Sequence, residues 1–300
     1  MIENLFLYFS FKLINESGEE FEKQRNKIKL GLILVNLGTI ILFAISIFLK
    51  YSVIAIPVLL IWLFGNWFIM NKKEKYTKFY KESIVSKFVT LSNEKLKYRS
   101  ENIKDVNLLA EYNNANFNQK QYNKYYLNNL IEGTVGDDTY LKMCNLNLQY
   151  VAYAENAKHV ENIFNGMFAY TNIDKNIKSV IKINENKIKF AEEKNIVNMD
   201  NAEFEKYYDV YSEDKILTMR ILTADIMEYL VEFRNKYNLK YEIIIKNNRI
   251  YLRFFVGEIF EPRIFKSAIE KEHLYKYYLI TKFMIDITAK MNNVLKDIDL

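Results

Sequence analysis

Three hundred residues with only eight glycines and two prolines exclude long flexible linkers and collagen-like or mucin-like segments. The formal net charge of +5 gathers beside an apolar stretch instead of forming a regular basic and aromatic groove, which argues against nucleic acid as a partner. Cys144 is the single cysteine, so no intrachain disulfide can form, in agreement with a reducing compartment.

Residues 1–29 open with Leu5, Phe6, Tyr8, Phe9, Phe11 and Leu13. They read as an amphipathic helix lying on the membrane or packed on the folded domain, followed by a basic juxtamembrane segment. No signal peptide fits, because Glu3 precedes the apolar residues, a basic n-region is missing and no small-residue cleavage pattern follows.

Leu30–Leu49 is twenty residues without a charge, Tyr51–Asn71 is twenty-one more, and Lys50 alone separates them. A helix needs roughly 20 apolar residues to cross the hydrocarbon core. Residues 30–71 therefore predict a transmembrane hairpin, turning at Lys50 and Tyr51 and embedded in the phospholipid bilayer. A buried core helix of such length would show a wet face, and neither run does. Lys23, Arg25, Lys27 and Lys29 precede the hairpin, and Lys72, Lys73, Lys75, Lys78 and Lys81 follow it. Cationic flanks favour the cytoplasmic side, which places both termini in the cytoplasm of a bacterium. Asn36, Thr39 and Asn66 are polar inside the apolar runs, and Asn36 predicts a contact surface with the second helix or with another copy of the chain. No acid or base sits at mid-membrane, which argues against a proton relay.

Residues 72–98 return to helical spacing through Tyr76, Phe79, Tyr80, Ile84, Phe88 and Leu91. Residues 99–266 read as one α+β domain. Its asparagine-rich opening, Asn102–Asn129, suits loop or helical turns. Strands are predicted over Asp138–Val151, Phe164–Ile173, Ile177–Ile188 and Tyr208–Tyr211, then a helix over Leu217–Tyr237. Tyr241–Ile245 and Arg249–Val256 predict a hairpin turning at Lys246, Asn247 and Asn248. From Pro262 the chain reads as helical, and 267–300 forms the C-terminal helix. The fold class is thus α+β: a transmembrane hairpin, then a mainly antiparallel sheet with flanking helices in a cytoplasmic domain.

Two stretches carry a resemblance. The first is Phe164-Asn165-Gly166-Met167-Phe168 followed by Asp174-Lys175. The second is Phe204–Leu230, with its strand at Tyr208–Tyr211, the Asp214 turn, Arg220 to Thr223 and the helix around Met227. Gly133, Gly136-Asp137-Asp138, the strand ending near Phe255 and Phe260-Glu261-Pro262 fit the same pattern. Over about Lys23–Lys266 the chain resembles a bacterial two-helix membrane family catalogued as domain of unknown function 3137. That resemblance implies two membrane helices near the N terminus and a cytoplasmic domain, and is silent on chemistry.

The residues themselves point to no catalytic, cofactor-binding or metal-binding set. His159 and His273 are the only histidines and no spaced cysteine pair exists. Gly133-Thr-Val-Gly136 lacks the lysine of a nucleotide-phosphate loop. Asp137 and Asp138 suit a turn, with metal or acid–base chemistry as the alternative, and Glu192 and Glu193 are adjacent acids in an extended segment. Phe164 and Phe168 suit core packing or an aromatic-lined groove. Arg220 and Arg253 suit an anionic partner or a carboxylate, a wet strand face being the simplest placement for Arg253. These six residues, Asp137, Asp138, Phe164, Phe168, Arg220 and Arg253, form the candidate functional surface. The reading is a membrane-anchored binding or scaffolding module, with a protein partner or a second copy of the chain as further partners. Its rivals are a membrane-tethered enzyme and a structural subunit of a larger assembly.

Overall fold

The computed structural model describes residues 2–48, 55–100, 103, 105–117, 120–136, 138–154, 157–185 and 195–298. The hairpin turn at Lys50 and Tyr51, Asp137, Glu192 and Glu193 lie outside them. The chain divides into two units, Met1–Lys87 with Phe260–Tyr277, and Phe88–Ile259 with Tyr278–Leu300.

In the first unit α1 (Ile2–Phe48) runs unbroken through the opening segment and the first apolar run, with no proline to interrupt it. Helix α2 (Ala55–Tyr80) is followed by a π-helical turn over Lys81–Val85 and by α3 (Ser86–Ser92). Glycine lets α1 and α2 approach closely: a Cβ on Gly65 would touch Val35 at 3.0 Å, and one on Gly31 would touch Ile69 at 3.3 Å. Trp62 Nε1 donates to Asn36 Oδ1 at 3.1 Å, so Asn36 meets the second helix. Asn66 and Thr39 satisfy themselves on carbonyls of their own helices, Trp62 O and Val35 O. Only 11% of the most apolar window of each helix is buried, which separates this pair from core helices of a soluble protein. They are membrane-spanning helices. Beyond the apolar runs, Glu22 accepts from Ser267 Oγ and from Ala268 N at 2.7 and 2.9 Å, Tyr80 donates to Ala268 O at 3.1 Å, and Lys81 is ion-paired with Glu261.

The second unit is built on one antiparallel sheet: β1 (Leu96–Arg99), β2 (Lys124–Val135), β3 (Thr139–Ala154), β4 (Ala157–Glu185), β5 (Tyr208–Ser212) and β6 (Tyr241–Phe254). Two of these stretches fold back. Eleven residues of extended chain span about 36 Å, yet Arg253 Nε lies 2.5 Å from Glu242 Oε2, and Phe255 N donates to Lys240 O at 3.0 Å. So β6 is a hairpin turning at Asn247, whose φ of 54° supplies the left-handed residue that a tight turn needs. Both arms of that hairpin pair with β4, Met167–Asn172 against Phe254–Arg249 and Ile181–Ile183 against Ile245–Ile243. The two halves of β4 therefore flank it. β3 pairs with the first half of β4 and β5 with the second, and β1 and β2 extend the β3 side.

Several boundaries differ from the sequence reading. The helix predicted to Tyr98 ends at Ser92, and β1 follows. The stretch read as loop or helical turns holds α4 (Val106–Ala115), capped by the Asp105 side chain accepting from Asn107 N and Leu108 N, and departs from that reading only at the start of β2, where Tyr125, Tyr126 and Leu127 favour strand. Gly136 thus turns β2 into β3 and does not precede the first strand. After α5 (Ala202–Glu205), the helix predicted over Leu217–Tyr237 is two, α6 (Lys215–Ile221) and α7 (Ala224–Tyr237), because Asp214 caps the first and Thr223 opens the second. The last helix, α8, starts at Lys271 and ends at Asp297.

Helix α4 covers one sheet face, where Tyr112 meets Phe164 and Phe168 at ring distances of 5.6 and 5.1 Å. Helix α7 and the Tyr278–Asp297 part of α8 cover the other, where Phe283 meets Phe233, Tyr241 and Phe254 at 3.9, 5.0 and 5.2 Å.

Candidate functional site

Along β3 the side chains alternate with period two. Cys144, Leu146 and Leu148 point into the core with α4. Asn145, Asn147 and Gln149 point to the opposite face, in register with Asn128, Tyr126 and Lys124 on β2. On β4, Asn147 faces Asn165. Tyr126, Asn128, Asn145, Asn147 and Asn165, with Leu146 and Glu258, line a cleft of about 260 Å³.

The cleft has a fixed part and an offered part. Asn129, fully buried and held at φ 54°, accepts from Tyr98 Oη at 2.7 Å. Its amide donates to Asn128 Oδ1 and Asn145 Oδ1 at 3.1 Å each and to Ile259 O at 3.3 Å. Asn128 in turn donates to Glu258 Oε1 at 2.9 Å. Those amides are committed to holding the 257–259 loop against the sheet. Asn147 differs: its Oδ1 is buried without a hydrogen-bond partner. A buried carbonyl oxygen left unpaired costs about 1–3 kcal/mol, which a donor that reached it would recover. Tyr126, half-exposed and with the Lys124 ammonium 5.0 Å from its ring centre, forms the rim.

Carboxamides present one donor pair and one acceptor each and do not titrate near neutral pH. Such a lining binds by hydrogen bonds. Glu258 is the single carboxylate among the lining residues. Among the described residues no three His, Cys, Asp or Glu side chains come together as a metal site.

Three of the six sequence candidates meet elsewhere, in the core under α4. Phe164 and Phe168 are buried around Tyr112, and Arg253 is buried beside them, 5.8 Å from the Phe164 ring centre and 4.5 Å from that of Phe117. The wet strand face expected for Arg253 is corrected: its cross-strand neighbour Glu242 accepts from Nε, and NH1 donates to Tyr112 Oη at 3.1 Å. Burial pushes the Glu242 carboxyl above its ordinary range, against the opposing pull of Arg253. Asp138 is exposed in the β2–β3 turn and Arg220 is exposed in the last turn of α6. Cys144 is fully buried, and burial pushes its thiol up, away from the thiolate. His159 is exposed on β4. Asn128, Asn145 and Asn147 escaped the sequence reading; the alternation of Asn145, Asn147 and Gln149 with Cys144, Leu146 and Leu148 was the available signal.

Both the Phe164–Phe168 run and the Phe204–Leu230 run are now placed, on β4 and on α5 through α7. Residues 162–293 match the family described as Protein of unknown function (DUF3137). This DUF3137 region begins within β4, so it contributes Asn165 and Glu258 to the cleft, whereas β2 and β3 precede it. It also takes in most of α8, beyond the Lys266 limit of the resemblance in the sequence. No curated protein matches the chain. Among solved structures, the mycobacterial trehalose monomycolate transport factor A, TtfA, is similar with a TM-score of 0.39 and 9% identity, over 71% of this chain and 93% of that one. The protein is thus a pair of membrane-spanning helices joined to an α+β domain that carries the DUF3137 region.

Proposed function

We propose that this protein is a membrane-anchored binding module whose α+β domain takes up an uncharged, hydrogen-bonding ligand in the asparagine-lined cleft. The observation that carries the reading is Asn147, a buried acceptor without a partner at the wall of a cleft lined by carboxamides. A volume of about 260 Å³ falls just below the usual range of small-molecule sites, which suits a compact ligand or one group of a larger one. The lysines that flank the apolar runs support an orientation with both termini in the bacterial cytoplasm, so the domain works at the inner surface of the membrane. Anchoring would confine the search for partners to that surface.

The test is thermal unfolding of the full chain in lipid nanodiscs against a panel of uncharged polyols, amides and capped peptides, beside the double variant Asn147→Leu/Asn165→Leu. At least one neutral compound is expected to raise the midpoint of the native protein and leave the variant unmoved. A response confined to charged compounds, or shared equally by the variant, would overturn the reading.

A further inference from the structure

We infer that the ends of α1 and α2 just beyond the apolar runs form a cationic collar that selects anionic phospholipid headgroups. Lys23 and Lys27 on α1 and Lys72, Lys75 and Lys78 on α2 are exposed, and Lys29 and Lys73 are half-buried. Among the described residues none of these seven lysines has a carboxylate partner, whereas Arg25, among them, is paired with Glu22 at 2.7 Å. Lys72 instead lies 4.4 Å from the ring centre of Phe68, within the apolar run.

The helix register sets their depth. Gly31 lies opposite Ile69, and one turn further along each helix Lys27 comes level with Lys73. Helix axes in such contact are about 8–10 Å apart, so Lys27 and Lys73 bring like charges to one depth, with Glu74 the one acid beside them. The polar layer of a bilayer is about 5–7 Å deep on each side, roughly four residues of helix. Lys27, Lys29, Lys72, Lys73 and Lys75 fall within it. Glu74 is the single acid in the two segments 23–29 and 72–78, and Glu22, just before the first, is paired with Arg25. A phosphodiester with no cationic headgroup of its own offsets this charge. A zwitterionic headgroup brings its own ammonium and offsets it less. The partner is therefore anionic phospholipid, and this inference stands apart from the cleft.

The chain carries its own reporters. Its only tryptophans, Trp62 and Trp67, are both exposed on α2. The full chain would be reconstituted in phosphatidylcholine containing phosphatidylglycerol, with bromine on the acyl chains of one lipid or the other, and tryptophan quenching compared. Brominated phosphatidylglycerol is expected to quench as though enriched about threefold over its mole fraction, and the enrichment should fall in high salt. In Lys27→Gln/Lys29→Gln/Lys72→Gln/Lys73→Gln it should drop to about one, and in the corresponding four-arginine variant it should persist. Equal quenching by both lipids in the native chain, or enrichment unchanged by salt, would overturn the proposal. So would enrichment unchanged in an inserted glutamine variant. If that variant fails to insert, the salt series on the native chain decides.

Discussion

Gly166 on β4 lies so close to the backbone of Phe254 on β6 that a Cβ placed on it would stand 1.8 Å from the Phe254 carbonyl oxygen. The obstructing atom is backbone, so no rotamer change relieves it. Gly166→Ala must push apart the β4–β6 pairing where Met167 meets Phe254. A loss of at least about 2 kcal/mol is expected, read as a lower unfolding midpoint by near-ultraviolet circular dichroism. An unchanged midpoint would contradict the close approach.

Asn129 and Asn147 should behave oppositely although both are asparagines on the same sheet. Asn129→Ala removes an acceptor for Tyr98 Oη and the donors to Asn145 and Ile259 O, and it puts alanine at φ 54°. It is expected to cost about 2 kcal/mol or more. Asn147→Ala removes a buried oxygen that has no partner, so it should leave stability unchanged or raise it, by up to about 1 kcal/mol. Parallel denaturant titrations of the two variants check the contrast.

His273 gives the protein a pH dependence of known sign. Its Nε2 lies 3.1 Å from Glu261 O, and its buried Nδ1 has no partner, so a proton added there would find no acceptor. Burial lowers its pKa from 6.5, Arg263 and Lys276 add to that, and the Glu261 carbonyl and Glu270 oppose it. A lowered pKa means that the unfolded chain binds the extra proton first as pH falls. The contribution of neutral His273 is therefore complete above pH 6.5 and is lost as pH drops from there through the folded-state pKa. The native chain should lose stability across that window, and His273→Gln should lose less. Equal slopes in the two proteins would contradict the assignment.

Orientation is open to direct labelling, because the single native thiol, Cys144, is buried. In Asp297→Cys the introduced thiol is expected to react with a membrane-impermeant maleimide only after spheroplasts are lysed. Reaction in intact spheroplasts would place the domain outside the cytoplasm.

The sequence showed the membrane hairpin plainly, since hydrocarbon demands long uncharged runs and Leu30–Asn71 supplies two. The β6 hairpin was also legible, from Asn247 and Asn248 between two β-prone runs. Strands β1 and β2 were hidden because Lys97, Arg99, Asn128 and Asn129 interrupt their apolar pattern, and the sheet neighbours that stabilise them are distant in sequence. The burial of Arg253 depends on its facing Glu242 across the turn, which register decides and composition does not. Carboxamides form no recognised motif, so the cleft became visible only when β2, β3 and β4 aligned their asparagines on one face.

Native mass spectrometry of the full chain taken directly from membranes tests most directly whether the asparagine-lined cleft is a ligand site. The native protein is expected to carry a compact neutral adduct that is absent from Asn147→Leu/Asn165→Leu, with both proteins folded to the same extent. An adduct-free native protein, or the same adduct retained at equal occupancy by the double variant, would contradict it.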